Sequence, residues 1–135
     1  MLHLTGDLGS GKTTLARGFA RGCGIDAAVR SPTYTLVNVH EGPGVTLVHL
    51  DLYRLRDPAE LEHLGLREWW RPDCLWLVEW PDRGAGHLPS ADLTVRLVAA
   101  SDAHHADLAA GSAVGAAWLE RSALAAGAGG AAAEP

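Results

Sequence analysis

Hydrophobic and polar positions in the first hundred residues predict short strands separated by turns and helices. Two β-rich runs, at 34–41 and 45–53, flank a Gly-Pro-Gly segment that has the composition of a tight hairpin turn. The run at 74–78 is almost entirely apolar, as is typical of a buried parallel strand. Alternation over 91–99 predicts one further strand, and residues 2–4 have the character of the end of another.

The segments between these runs carry helix signals. Residues 14–21 predict a helix, which Gly22 and Gly24 are placed to close. Asp57 is a typical helix cap and Pro58 a typical first helical residue, so a short helix is predicted over 57–64. Residues 66–71 continue this helical connection.

The pattern weakens after residue 100. A loose helix is predicted over 108–124, around Trp118, and residues 125–135 are Ala/Gly-rich, a composition typical of disorder. We therefore predict a folded domain over 1–100 and a weakly structured Ala/Gly-rich tail over 101–135.

The length and composition of the chain are typical of a single globular domain. The chain has 135 residues and a formal net charge of −5, which disfavours broad attraction to nucleic acid or to an anionic membrane. No apolar run is long enough to cross a bilayer, and the first residues do not form a secretory signal. Cys23 and Cys74 are expected to be thiols in a reducing cytosol. We expect a cytoplasmic protein without membrane contact.

Residues 6–13 match the phosphate-binding loop pattern G-x-x-x-x-G-K-[ST]. Its glycines let backbone N–H groups turn toward phosphates, Lys12 reaches the β and γ oxygens, and the Thr13 hydroxyl can ligate Mg²⁺. Lys12 is also the only lysine of the chain, where every other cation is arginine. The residues predicted to bind the nucleotide are Gly6, Asp7, Leu8, Gly9, Ser10, Gly11, Lys12, Thr13 and Thr14.

Two carboxylates end β-rich runs and could serve such a loop. Asp51 follows the run from 45 to 50, and Glu79 follows the apolar run from 75 to 78. In an open α/β sheet, ligands bind at the carboxyl ends of the strands, so either acid could face the phosphates and hold Mg²⁺ or its water shell. Thr33, in the loop after the first helix, occupies the place of a switch loop. Either acid could instead be a solvated strand end, and Thr33 part of a plain turn.

The histidines and tryptophans, taken alone, indicate little about function. The seven histidines show no metal-ligand spacing, and His49 and His63 are interpreted as structural residues near the sheet. Trp69, Trp70 and Trp76 are more typical of packing than of base stacking, whereas Trp80 directly follows Glu79. The elements and the loop together predict an α/β fold: a single P-loop NTPase domain with a mixed sheet, a central P-loop strand, a β-hairpin and flanking helices.

Four blocks of sequence form a further pattern: residues 6–14, the Ser-Pro-Thr-Tyr-Thr-Leu-Val segment at 31–37, His-Leu-Asp-Leu-Tyr-Arg-Leu at 49–55, and Val-Glu-Trp-Pro at 78–81. Together and in this order, they resemble the TsaE (YjeE) family of bacterial P-loop ATPases, which serve threonylcarbamoyladenosine modification of tRNA. The match runs from residue 2 to about residue 99.

That resemblance implies the role of each residue. Lys12 and the loop backbone would bind ATP, Thr13 and Glu79 would hold Mg²⁺, and Asp51 would support hydrolysis. Thr33 would be the switch residue and Trp80 a nucleotide-sensitive aromatic. The implied partners are a TsaB–TsaD complex and, through it, tRNA.

The resemblance also gives an expectation about the start of the chain. Family members carry about a helix and a strand before the P-loop strand, with contacts toward the base, whereas this sequence begins inside that strand. We therefore expect an N-terminal truncation that leaves the phosphate and metal chemistry in place.

Two other functions stay open at the level of sequence. A small-molecule kinase could use Arg67 and Arg71 as lid arginines and Arg54 for its acceptor, although no separate lid or acceptor domain is evident. A binding module that responds to nucleotide without turnover is the other alternative.

Overall fold

The computed structural model of the chain describes residues 1–25, 32 and 34–130, with side chains to residue 126. Within these residues, six strands form one sheet: β1 (Leu2–Thr5), β2 (Val37–Gly42), β3 (Val45–Asp51), β4 (Cys74–Glu79), β5 (Leu93–Ala99) and β6 (His104–Ala110). Two α-helices, α1 (Lys12–Gly22) and α2 (Ala113–Gly130), accompany them. Short 3-10 helices span Pro58–His63, Leu66–Trp69 and Pro81–Gly84.

The sheet is mixed and has β1 in its interior, as predicted. Its order is β2-β3-β4-β1-β5-β6. β3, β4, β1 and β5 are parallel neighbours, while β2 and β6 pair antiparallel at the two edges. The β2–β3 pair is the predicted hairpin. The carboxyl ends of β1, β3 and β4 therefore meet at one edge of the sheet.

Alternation along the strands gives the sheet two buried faces. Leu4, Leu47 and Leu77 belong to a core shared with Ala16 and Ala20 of α1. The intervening positions of β3 and β4 belong to a second core, beneath the 3-10 helices. β3 and β4 are thus covered on both sides, which explains their near-continuous apolar sequences.

The helix predicted over 57–64 forms as a 3-10 helix. Asp57 accepts a hydrogen bond from the backbone N–H of Ala59, and Glu60 accepts one from the backbone N–H of Asp57, which completes a capping box. The predicted continuation at 66–71 is the shorter 3-10 helix Leu66–Trp69.

The prediction of a weakly structured tail is wrong for most of that segment. β6 pairs with β5 over seven residues, and α2 follows it. All seven residues of β6 are exposed, so no apolar alternation marks the strand in the sequence. Backbone pairing, rather than side-chain burial, joins it to the sheet, and residues 131–135 lie outside the described part of the chain.

Among the helices of the described residues, none combines the length and the apolar composition that a membrane span requires.

Candidate functional site

A cleft of about 420 Å³ opens where the carboxyl ends of β3 and β4 face the start of α1. The loop between β1 and α1 forms one wall, and the ends of β3 and β4 form the other. The cleft is lined by Leu8, Gly9, Gly11, Lys12, Thr13, Thr14, Asp51, Tyr53, Glu79 and Trp80. The topology thus brings together the predicted loop and both predicted carboxylates.

The loop after β1 has the backbone that the phosphate-binding pattern requires. Gly6, Gly9 and Gly11 have φ angles of 140°, 75° and 100°, a region in which residues with a Cβ are strained. Gly6 also packs so closely that a Cβ there would collide with the backbone carbonyl of Leu97. Gly11 is the N-cap of α1 and offers its first N–H groups no side-chain acceptor. These N–H groups and the positive end of the helix dipole are suited to an anion.

Lys12 lies at the base of the cleft, with its side chain almost fully buried. Its Nζ donates hydrogen bonds to the carbonyl oxygens of Gly6 at 2.7 Å and Asp7 at 2.8 Å. Nζ also lies 4.5 Å from the centroid of the Trp80 ring, a cation–π distance. Burial lowers the pKa of Lys12, and the negative charges of Glu79, Asp51 and Asp7 oppose that shift. The ammonium is therefore placed between backbone carbonyls and carboxylates.

Asp51 and Glu79 are side-by-side partners in the parallel pairing of β3 and β4. Both are buried, with 4% and 2% of their surface exposed. One carboxylate oxygen of Asp51, Oδ1, accepts a hydrogen bond from the backbone N–H of Tyr53 at 3.1 Å. Buried carboxylates are costly unless a cation or a donor compensates them, so two adjacent ones beside Lys12 indicate a site for positive charge.

His49 joins the site from beneath the carboxylates. It is fully buried on β3, two residues before Asp51, and its Nε2 lies 2.8 Å from Oε1 of Glu79. The interpretation of His49 as a structural residue overlooked this contact. The sequence did hold a signal, because alternation in a strand places residues 49 and 51 on the same face.

Trp80 and Tyr53 form the aromatic side of the cleft. Their ring centroids are 5.1 Å apart, and the guanidinium carbon of Arg83 lies 5.6 Å from the centroid of Tyr53. Trp80 adopts a φ of 56°, which is uncommon for a bulky residue and turns the chain away at the end of β4. Tyr53 is a lining residue that the sequence reasoning did not select.

These residues fit a nucleotide phosphate bound with Mg²⁺. Mg²⁺ takes oxygen ligands, usually one or two carboxylates together with the phosphates of the substrate. Thr13, Asp51 and Glu79 supply such oxygens around one cleft. In the described part of the chain, no group of three or more His, Cys, Asp or Glu side chains could hold a metal alone. Thr33 lies outside the described residues, and its predicted switch role stays a prediction.

Comparison with known proteins identifies a family. The family described as threonylcarbamoyl adenosine biosynthesis protein TsaE matches residues 1–107. The Haemophilus influenzae protein named tRNA threonylcarbamoyladenosine biosynthesis protein TsaE is 47% identical over 110 residues, which cover 82% of this chain and 70% of that protein. Its Bacillus subtilis namesake is 41% identical over 102 residues, covering 76% of this chain and 63% of the relative.

A solved structure, that of YdiB from Bacillus subtilis, superposes with a TM-score of 0.63 at 34% identity. The superposition covers 79% of this chain and 64% of YdiB.

Proposed function

The chain belongs to the TsaE family, and from that premise we propose that it binds and hydrolyses Mg²⁺-ATP. Through a complex of TsaB and TsaD proteins, this activity would support the threonylcarbamoyl modification of adenosine in tRNA. One observation carries the proposal: a single cleft holds a phosphate-binding loop, its lysine and two buried carboxylates at adjacent strand ends. Loop, lysine and acid are the parts that phosphoryl chemistry requires in P-loop proteins.

The loop and Lys12 would bind and orient the triphosphate. Lys12 would exchange the carbonyls of Gly6 and Asp7 for phosphate oxygens. The N–H groups at the start of α1 would donate hydrogen bonds to further phosphate oxygens. Thr13 and Glu79 would hold Mg²⁺, which when bound supplies neutralisation of phosphate charge. Asp51, beside Glu79, would support hydrolysis by orienting water near the γ-phosphate.

Two features support a role for a partner protein: the cleft has no arginine among the described residues, and the net charge of the chain is negative. No arginine lines the cleft in the described residues, so a partner would complete the site, and turnover by the chain alone would be slow. The net charge of −5 favours contact with tRNA through that partner over direct binding.

The test is steady-state ATP turnover with and without TsaB–TsaD and tRNA, with the γ-phosphate labelled. We expect turnover to rise with the partners, the label to appear in inorganic phosphate, and Lys12→Ala to abolish both turnover and tRNA modification. Equal rates, together with modification that proceeds without this chain, would contradict the coupling. Label on a small acceptor would instead indicate a kinase.

A further inference from the structure

His49 and Glu79 form a completely buried polar pair beneath the cleft. The exposed surface is 0% for His49 and 2% for Glu79, and 2.8 Å separates His49 Nε2 from Glu79 Oε1. In the same cross-strand row, His49 is flanked by Leu77 of β4, which shows that the sheet can pack an apolar side chain at this depth. A buried polar pair is weak evidence for stability, because well-packed apolar residues usually serve as well.

The surroundings of His49 favour one tautomer of its imidazole ring. Its other nitrogen, Nδ1, is buried and has no hydrogen-bond partner among the described residues. A proton on Nδ1 would there be a buried donor without an acceptor, which is costly, whereas a proton on Nε2 can be donated to Glu79. The hydrogen bond therefore runs from Nε2–H of His49 to Oε1 of Glu79.

This hydrogen bond restricts the orientation of the Glu79 carboxylate, which lines the cleft. With Oε1 held from below by His49, rotation of the Glu79 carboxylate is limited, and Oε2 is the oxygen left to meet a cation. Glu79 lines the cleft, whereas His49 does not, so His49 acts only through Glu79.

We propose that His49 is a positioning residue for the metal: it fixes the Glu79 carboxylate so that Oε2 faces the Mg²⁺ bound with nucleotide. The inference rests on the proposed Mg²⁺-ATP site. Hydrogen-bonding partners of metal ligands orient those ligands, and their loss typically costs about 10–100-fold in metal affinity or activity.

The test uses two amide variants that differ in reach. Gln in the His49→Gln variant can place its amide nitrogen near the position of Nε2, whereas Asn in His49→Asn is too short. A fluorescent ATP analogue is titrated in EDTA and then in increasing Mg²⁺. We expect His49→Asn to raise the Mg²⁺ concentration for half-maximal effect by about tenfold. His49→Gln should restore most of the wild-type value, and all three proteins should bind the metal-free analogue alike.

Equal Mg²⁺ midpoints for His49→Asn and wild type, or equal shifts in the Asn and Gln variants, would overturn the proposal. If His49→Asn does not fold, as judged by thermal unfolding, His49→Leu takes its place as the variant without a donor. The Glu79→Gln background gives a second measurement, since there a donor-less residue 49 should cause no further shift. An additive shift would show that His49 does not act through Glu79.

Glu79→Gln separates this inference from the function on which it rests. If wild type shows no Mg²⁺-dependent gain in affinity, or Glu79→Gln leaves that gain unchanged, the proposed metal site is wrong. If Glu79→Gln weakens the gain and His49→Asn does not, only the role of His49 is wrong.

Discussion

Lys12 is held by partners from its own loop and from the end of β4. Its ammonium is hydrogen-bonded to the carbonyls of Gly6 and Asp7 and lies over the ring of Trp80. Gly6 supplies one of those carbonyls from a backbone conformation that a side chain would strain. One of the contacts that hold the cation is therefore made by a glycine six residues earlier.

Gly6→Ala should be more damaging than Gly9→Ala. Both residues have positive φ, so each substitution should cost about 1–3 kcal/mol of backbone strain. Only Gly6 faces the carbonyl of Leu97, and relieving that collision should cost about 1–3 kcal/mol more. The free energy of unfolding in urea measures both effects, and equal losses in the two variants would contradict the close approach.

The attachment of α2 relies on short polar contacts and small residues. Ser112 donates to Oδ1 of Asp92 at 2.6 Å, and its Oγ accepts from the backbone N–H of Gly115 at 3.2 Å. Gly111 and Gly115 approach the backbone of 91–92 so closely that a Cβ on either would collide with a carbonyl oxygen. The helix is therefore held against the start of β5.

Gly115→Ala should destabilise the protein, and Gly18→Ala should stabilise it. Both glycines lie in helices, where Ala is intrinsically preferred by about 1 kcal/mol. A Cβ at position 18 meets open space, whereas one at position 115 meets the carbonyl oxygen of Asp92. We expect a loss of about 1–3 kcal/mol for Gly115→Ala. Urea unfolding of the two variants compares them, and stabilisation in both would mean that α2 does not pack there.

Across the described chain, the apolar pattern of the sequence predicts the strands whose side chains are buried. β3 and β4 are covered on both faces, and their apolar runs predict them well. β6 is exposed throughout, and its backbone pairing with β5 leaves no mark in the side-chain pattern. The same distinction holds in the site: the loop and the strand-end acids are visible in the sequence. Alternation places His49 and Asp51 on the same face of β3. The contact of His49 with Glu79 also requires the pairing of β3 with β4, which no pattern in the sequence specifies.

Stability should fall in mild acid because two histidines are partly buried. Burial lowers the pKa of His3 and of His40, with smaller contributions from the N-terminal ammonium and from His49 respectively. Below about pH 6.5 the unfolded chain therefore takes up protons that the folded chain refuses, and the free energy of unfolding decreases.

The urea midpoint should accordingly be lower at about pH 5.5 than at about pH 7.5. The difference should shrink in a His3→Leu/His40→Leu double variant. Replacement of the exposed His104 and His105 by Gln is the matched control and should leave the difference unchanged. A pH dependence that survives the double variant would place its origin elsewhere.

Calorimetric titration of ATP, with and without Mg²⁺, into wild type, Lys12→Ala and Arg21→Ala tests the account most directly. The two variants lose the same charge, but only Lys12 lies in the cleft, whereas Arg21 is exposed on the last turn of α1. We predict saturable binding by wild type and Arg21→Ala that tightens with Mg²⁺, and about 10–100-fold weaker binding by Lys12→Ala, the value of a hydrogen bond to a charged group. Equal affinities in the two variants, or no binding by wild type, would contradict the assignment of this cleft to Mg²⁺-ATP.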